Sequence, residues 1–216
     1  MTASNEPRDG APADELLRLF IAVAVPAPVR RGLTTLRPQL EEAGAPSMLR
    51  WVRPESIHLT LKFLGATHAN RVAAIAQALQ EAASVSAAHR LQVAGLGLFG
   101  GRRPRVLWAG LDGDVDAVSR CAARVDAALA RCGFAPERQP FAPHLTLARL
   151  RDRATAQDRE ALRRAVDRIT AIGWRTPSSS AIPVTALQLI HSRLGPNGAR
   201  YEPLAEVSLP AAADHK

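Results

Sequence analysis

One eleven-residue segment occurs twice in this chain, once in each half. Pro54-Glu-Ser-Ile-His58-Leu-Thr60-Leu-Lys-Phe-Leu64 aligns without a gap on Pro140-Phe-Ala-Pro-His144-Leu-Thr146-Leu-Ala-Arg-Leu150, 86 residues further on. A repeat of that span predicts two similar lobes related by an approximate twofold axis, which excludes most folds open to a 216-residue chain. With six His and ten Thr in the sequence, random placement would give His-x-Thr about 0.3 times. It occurs twice, both times as His-Leu-Thr-Leu.

The segments around the repeats alternate between strand and helix patterns. Leu16–Val25 is a near-continuous apolar run that stops at Pro26, as a buried strand does. Residues 28–42 have helical spacing, with Pro38 as a kink or break. Residues 57–64 alternate as a half-buried strand, and 69–87 read as an alanine-rich helix. Strands over 90–99 and 105–111 are joined by Gly-Gly-Arg-Arg-Pro, then a helix runs over 115–132 with Gly133 as its cap. A strand over 143–150, a helix over 155–170, a loop at 176–180 and a hairpin over 184–209 complete the chain. The fold class is therefore α+β, with mainly antiparallel sheets facing a central cleft and helices outside. Residues 15–210 read as a single bilobal domain between flexible tails at 1–14 and 211–216.

Strand geometry determines what the repeated tetrapeptide can present. Side chains alternate, so His58 and Thr60 share one face while Leu59 and Leu61 share the other; His144, Thr146, Leu145 and Leu147 divide likewise. If the lobes oppose these faces, two imidazoles and two hydroxyls converge. In-line displacement at phosphorus needs a base on the attacking oxygen and an acid on the leaving oxygen, and histidine serves either role near neutral pH. Threonine hydroxyls donate to the non-bridging oxygens, where charge develops. No carboxylate or thiolate flanks the pair to complete a metal site, so neither a metal nor another cofactor is expected. By parity Lys62 reaches the same groove, whereas Arg149 has the opposite parity and needs a bulge or a strand end to do so. Phe20, central in the first strand, is either core or a stacking surface for a base.

The formal charge of +8 and the pI of about 11.0 now become informative, because a basic excess attracts polyanions. Arg102, Arg103 and Arg105 make a basic turn that either guides an RNA backbone or is simply solvated. Cys121 and Cys132, eleven residues apart in one helix, are separated by about 16 Å, beyond disulfide reach. Their spacing and the absence of an apolar leader or span predict a cytoplasmic protein. Two other motifs fail on context. Gly95–Gly100 spells GxGxxG but is followed by Arg-Arg-Pro and a strand, not a helix. Asp112–Asp116 opens like a calcium loop but has Ala117 and Ala123 where glycine and glutamate are required. His68, His89, His191 and His215 lack a following Thr at the right spacing and receive no catalytic role.

RLFIAVAVP, WVRPESIHLTLKFLG, FGGRRPRVLWAGL, PFAPHLTLAR and SRLGPNGARYEPL together resemble the RNA 2′,3′-cyclic phosphodiesterases, also called 2′-5′ RNA ligases, of the two-histidine phosphoesterase superfamily. The likeness runs from Leu17 to Pro210. It implies His58, Thr60, His144 and Thr146 as the catalytic set and opening of a cyclic phosphate to a 2′-phosphate. It also favours Arg149 beside the phosphate and makes Ser192, Arg193 and Tyr201 candidate cleft residues. RNA 3′ ends or nucleotide cyclic phosphates are the implied partners, met by a monomer and not by a membrane protein. The alternatives are a phosphodiesterase of small cyclic phosphates or 2′-5′ oligoadenylate, and an RNA-binding module without turnover. Arg149, if it points inward, disfavours a charged imidazole nearby, so the expected roles are His144 as base and His58 as acid.

Overall fold

The computed structural model describes residues 15–174, 180–195 and 198–212. The tails at 1–14 and 213–216 and most of the loop at 176–180 lie outside them. Nine strands make one sheet: β1 (Leu16–Ala24), β2 (Leu49–Trp51), β3 (His58–His68), β4 (His89–Phe99), β5 (Val106–Gly113), β6 (His144–Leu150), β7 (Ala181–Val184), β8 (Ala186–Gly195) and β9 (Gly198–Ser208). Five helices join them: α1 (Ala27–Thr34), α2 (Leu36–Glu42), α3 (Val72–Ser84), α4 (Val115–Arg131) and α5 (Ala156–Ala171).

The strand order is β7-β4-β5-β6-β3-β1-β8-β9, with β2 added to β6, and every pairing is antiparallel. The two motif strands, β3 and β6, meet at the centre, with three further strands of the main order on each side. Leu59 pairs with Leu145, so equivalent residues of the two repeats face each other across the seam. That is where a twofold axis must pass, and the expected pseudosymmetric α+β architecture is what the chain adopts. The lobes are halves of a single hydrogen-bonded sheet.

Each repeat runs strand–helix–strand–helix–strand, and its last strand crosses over. β4 follows the first motif strand in sequence yet pairs with β5 in the second half; β8 follows the second motif strand yet pairs with β1 in the first. Helix α3 packs on α4 and reaches β8 and β9, while α5 packs on α2 and reaches β4. The inward leucines Leu59, Leu61, Leu145 and Leu147 belong to the continuous core beneath these helices.

The helix expected over 28–42 divides at Thr35. Pro38 has no N–H for the carbonyl of Thr34, and its ring crowds that carbonyl, so the chain breaks just before the turn that Pro38 enters. Helix α5 begins with a capping box: Thr155 Oγ1 accepts from Asp158 N at 3.1 Å, and Asp158 accepts from Thr155 N at 2.8 Å. In the Gly95–Gly100 stretch, Gly97 gives Trp108 room to lie against β4, since a Cβ there would come within 2.1 Å of the indole. Gly100, at φ +112°, forms the β4–β5 turn.

Candidate active site

The face opposite the helices holds the repeated polar residues. The antiparallel register set by Leu59 and Leu145 places Thr146 across the seam from His58 and His144 across from Thr60. The two imidazoles are anchored alike. His58 Nδ1 lies 2.8 Å from the carbonyl oxygen of Ser56, and His144 Nδ1 lies 2.7 Å from that of Ala142. A carbonyl only accepts, so each Nδ1 carries the proton and each Nε2 is left to face the cleft. Among the described residues, neither Thr60 nor Thr146 commits its hydroxyl to a side-chain hydrogen bond.

Aromatic rings flank both histidines. His58 stands 4.7 Å from Phe20 and 5.0 Å, edge on, from Tyr201; His144 stands 4.7 Å from Phe99 and 6.4 Å from Trp108. The packing is tighter around His58. Burial pushes its pKa from the ordinary 6.5 down to about 4, assisted by the nearby charge of His144 and opposed by the bond to Ser56. The folded state thus resists protonation of His58. Its contribution to stability is complete above about pH 6.5 and is lost as the pH falls to about 4. Thermal melts between these pH values should therefore show a steeper drop in Tm for the wild type than for His58→Gln; parallel curves would refute this coupling.

Beyond the tetrapeptides, both motif strands bulge at the same place. Ala22 pairs with Thr60 but Ile21 with Lys62, skipping Leu61; Trp108 pairs with Thr146 but Leu107 with Ala148, skipping Leu147. The extra residue reverses the parity of the residues that follow it, in β3 as far as a second shift at Leu64. Lys62 therefore does not reach the groove, as unbroken alternation predicts. It is 3% exposed on the core side, where it pairs with Asp126 of α4 and donates to the carbonyl of Ala135 at 2.7 Å. Arg149 gains the outward face, on the same side as His144 and Thr146. Its counterpart in the first repeat is Phe63, 65% exposed on the same side as His58.

Phe20 also differs from the open stacking ring considered above. It is 3% exposed, closed in by His58, Phe63 at 6.0 Å and Tyr201 at 5.1 Å, and it backs His58 as a wall. Tyr201 sits in this cluster, Ser192 is its cross-strand partner, and Arg193 pairs with Glu202 at 3.1 Å. Phe63, Phe99 and Trp108 are cleft residues that strand parity alone did not single out. Among the described residues, no three His, Cys, Asp or Glu side chains converge as metal ligands.

Paired His-x-Thr strands on one face of a pseudosymmetric antiparallel sheet define a two-histidine phosphoesterase. The sequence pattern of the LigT-like phosphoesterases matches residues 23–108 and 111–201. An RNA 2′,3′-cyclic phosphodiesterase of Aeropyrum pernix is 32% identical over 177 residues, covering 81% of this chain and 93% of that protein. One of Aquifex aeolicus is 30% identical over 164 residues, covering 75% and 82%. One of Geobacillus stearothermophilus is 40% identical over 100 residues, and there the match spans 46% of this chain and 32% of its relative's length. Among solved structures, E. coli LigT complexed with 3′-AMP superposes with a TM-score of 0.68 at 26% identity, covering 90% of this chain and 99% of LigT. The chain belongs to the LigT-like phosphoesterase family.

Proposed function

We propose that the protein hydrolyses RNA 2′,3′-cyclic phosphate ends to 2′-phosphomonoesters by histidine acid–base catalysis without a metal, and that 2′-5′ ligation is the same ring opening with an RNA 5′-hydroxyl in place of water as the attacking group. The observation that carries this reading is the matched pair of Nδ1-anchored imidazoles with both Nε2 atoms left for the cleft. The curated relatives' names add the substrate class. Burial of His58 reverses the roles expected from Arg149. The lowered pKa keeps the His58 imidazole neutral at pH 7, with Nε2 unprotonated although less basic than an ordinary imidazole, so we assign His58 as the base and His144 as the acid. His58 Nε2 takes a proton from water as the water oxygen bonds to phosphorus. The P–O3′ bond breaks, and His144, which enters this step as the imidazolium with Nδ1–H on Ala142 O and a second proton on Nε2, gives the Nε2 proton to O3′. Thr60 and Thr146 donate to the non-bridging oxygens, and Arg149 balances their charge. Phe63, the exposed ring at the cleft, replaces Phe20 as the surface for a base.

A second reading, opening of small cyclic nucleotides, is favoured by the 3′-AMP complex of the E. coli relative. Comparing a cyclic-phosphate-ended oligonucleotide with a nucleoside 2′,3′-cyclic phosphate as substrates separates the two. Turnover is expected to be unchanged by EDTA, since the acid, base and oxyanion donors are all side chains. Activity that disappears in EDTA and returns with one divalent ion would overturn the mechanism.

A further inference from the structure

One group of arginines gathers where the β4–β5 turn meets α5. The β4–β5 turn is closed by Arg103 N to Gly100 O at 2.9 Å and Arg105 N to Phe99 O at 2.8 Å. Two arginines of α5 hold its backbone: Arg159 donates to the carbonyl of Pro104 at 2.8 Å, and Arg163 to that of Gly101 at 3.3 Å. Between the turn and the helix is an open recess of about 550 Å³ lined by Arg102, Arg103, Ala156, Arg159, Glu160 and Arg163. The one carboxylate there is already engaged, with Glu160 Oε2 2.6 Å from Arg163 and Oε1 3.7 Å from Arg164. Asp152 is likewise occupied by Arg105 at 2.7 Å. Among the described residues, Arg102 and Arg103 have neither an ion pair nor a side-chain hydrogen bond. Four guanidinium groups thus border the recess against one carboxylate, Glu160, which is paired with Arg163.

Its position relative to the cleft follows from strand register. β5 pairs with β6 from Gly110 opposite His144 to Val106 opposite Arg149, a span of about 13 Å, and the turn begins immediately beyond. Leu150 N donates to Arg105 O at 2.9 Å, which fixes the turn to the end of β6. Arg149 therefore stands on the cleft face between His144 and the turn, and a single strand leaving the cleft reaches the recess on the helix side by passing around the end of the sheet at that turn.

We propose that the recess between the β4–β5 turn and α5 binds backbone phosphates of an RNA strand whose 3′ end lies in the cleft. This rests on the reading that RNA ends are the substrate. The surface recognises phosphate charge and not base identity, so it distinguishes polynucleotides from mononucleotides.

The test compares the wild type with Arg102→Ala/Arg103→Ala on two substrates, a single-stranded 12-nucleotide RNA ending in a 2′,3′-cyclic phosphate and adenosine 2′,3′-cyclic monophosphate. KM for the 12-mer should rise about tenfold with kcat unchanged, while both constants for the mononucleotide stay as they are. The slope of log kcat/KM for the 12-mer against log salt should become shallower by about 1 to 2, as expected when one or two phosphate contacts are removed. Equal losses on both substrates, or no loss on the 12-mer, would overturn the proposal. Anisotropy with a labelled 12-mer bearing a 3′-hydroxyl checks binding without turnover, and the same tenfold weakening is expected. If the wild type opens neither substrate, the functional reading fails, and the anisotropy arm alone decides the recess. Displacement of the 12-mer by polyaspartate as readily as by unlabelled RNA would identify the surface as a dock for acidic protein and overturn the proposal.

Discussion

His58→Ala and His144→Ala are each expected to lower kcat on a cyclic-phosphate-ended RNA by about 10² to 10⁴, the usual contribution of a positioned acid or base. Both rings project from the face opposite the core, so cooperative unfolding should persist in each variant. The two losses should respond differently to the leaving group. A diester that expels p-nitrophenolate no longer needs the acid, so it should restore His144→Ala much more than His58→Ala. The opposite pattern would return the roles to those suggested by Arg149. Equal rescue would mean that two separate roles are the wrong description, and near-wild-type turnover in either variant would remove its histidine from the mechanism.

Leu145→Ala carries the second large effect, on stability. Leu145 is fully buried, and so is its seam partner Leu59. Truncation leaves a cavity under the strand pair that, among the described residues, alone joins the two halves of the sheet, where β1 and β5 on either side limit collapse. A loss of about 2 to 5 kcal/mol is expected, read from urea unfolding at unchanged m-value. A loss below about 1 kcal/mol would show that the seam relaxes around the gap and does not depend on close packing.

The repeat makes the two lobes and the four motif residues legible in the amino-acid sequence itself. What strand parity mishandles is everything beyond the third residue after each histidine. Alternation projected from His58 places Lys62 outward and hides Phe63, and projected from His144 it hides Arg149. The bulges at Leu61 and Leu147 reverse all three. A trace is present in the sequence, because both repeats place apolar residues one, three and six positions after the histidine, and the sixth breaks the period of two. Leu150 duly faces the core at 6% exposure. The flanking rings Phe99 and Trp108 come from strands outside the motif, and no local pattern could associate them with His144. Nor could periodicity detect the depressed pKa of His58, which depends on how closely Phe20 and Tyr201 close around it. Short β7, with Pro183 inside it, lacks a strand signature and is tolerated at the sheet edge.

The exchange of last strands between halves also governs the order in which the polypeptide can assemble. One of the two neighbours of β1, β8, is synthesised more than 160 residues after it. At about 5 to 20 residues per second, that interval is roughly 10 to 30 s. Throughout it, the Leu-rich β1 exposes an unpaired edge of the kind that recruits other chains. Completion of the sheet therefore waits for β8 and is dominated by distant pairings, which makes folding slow for the protein's size. A nascent chain halted before Ala186 should bind chaperones or aggregate.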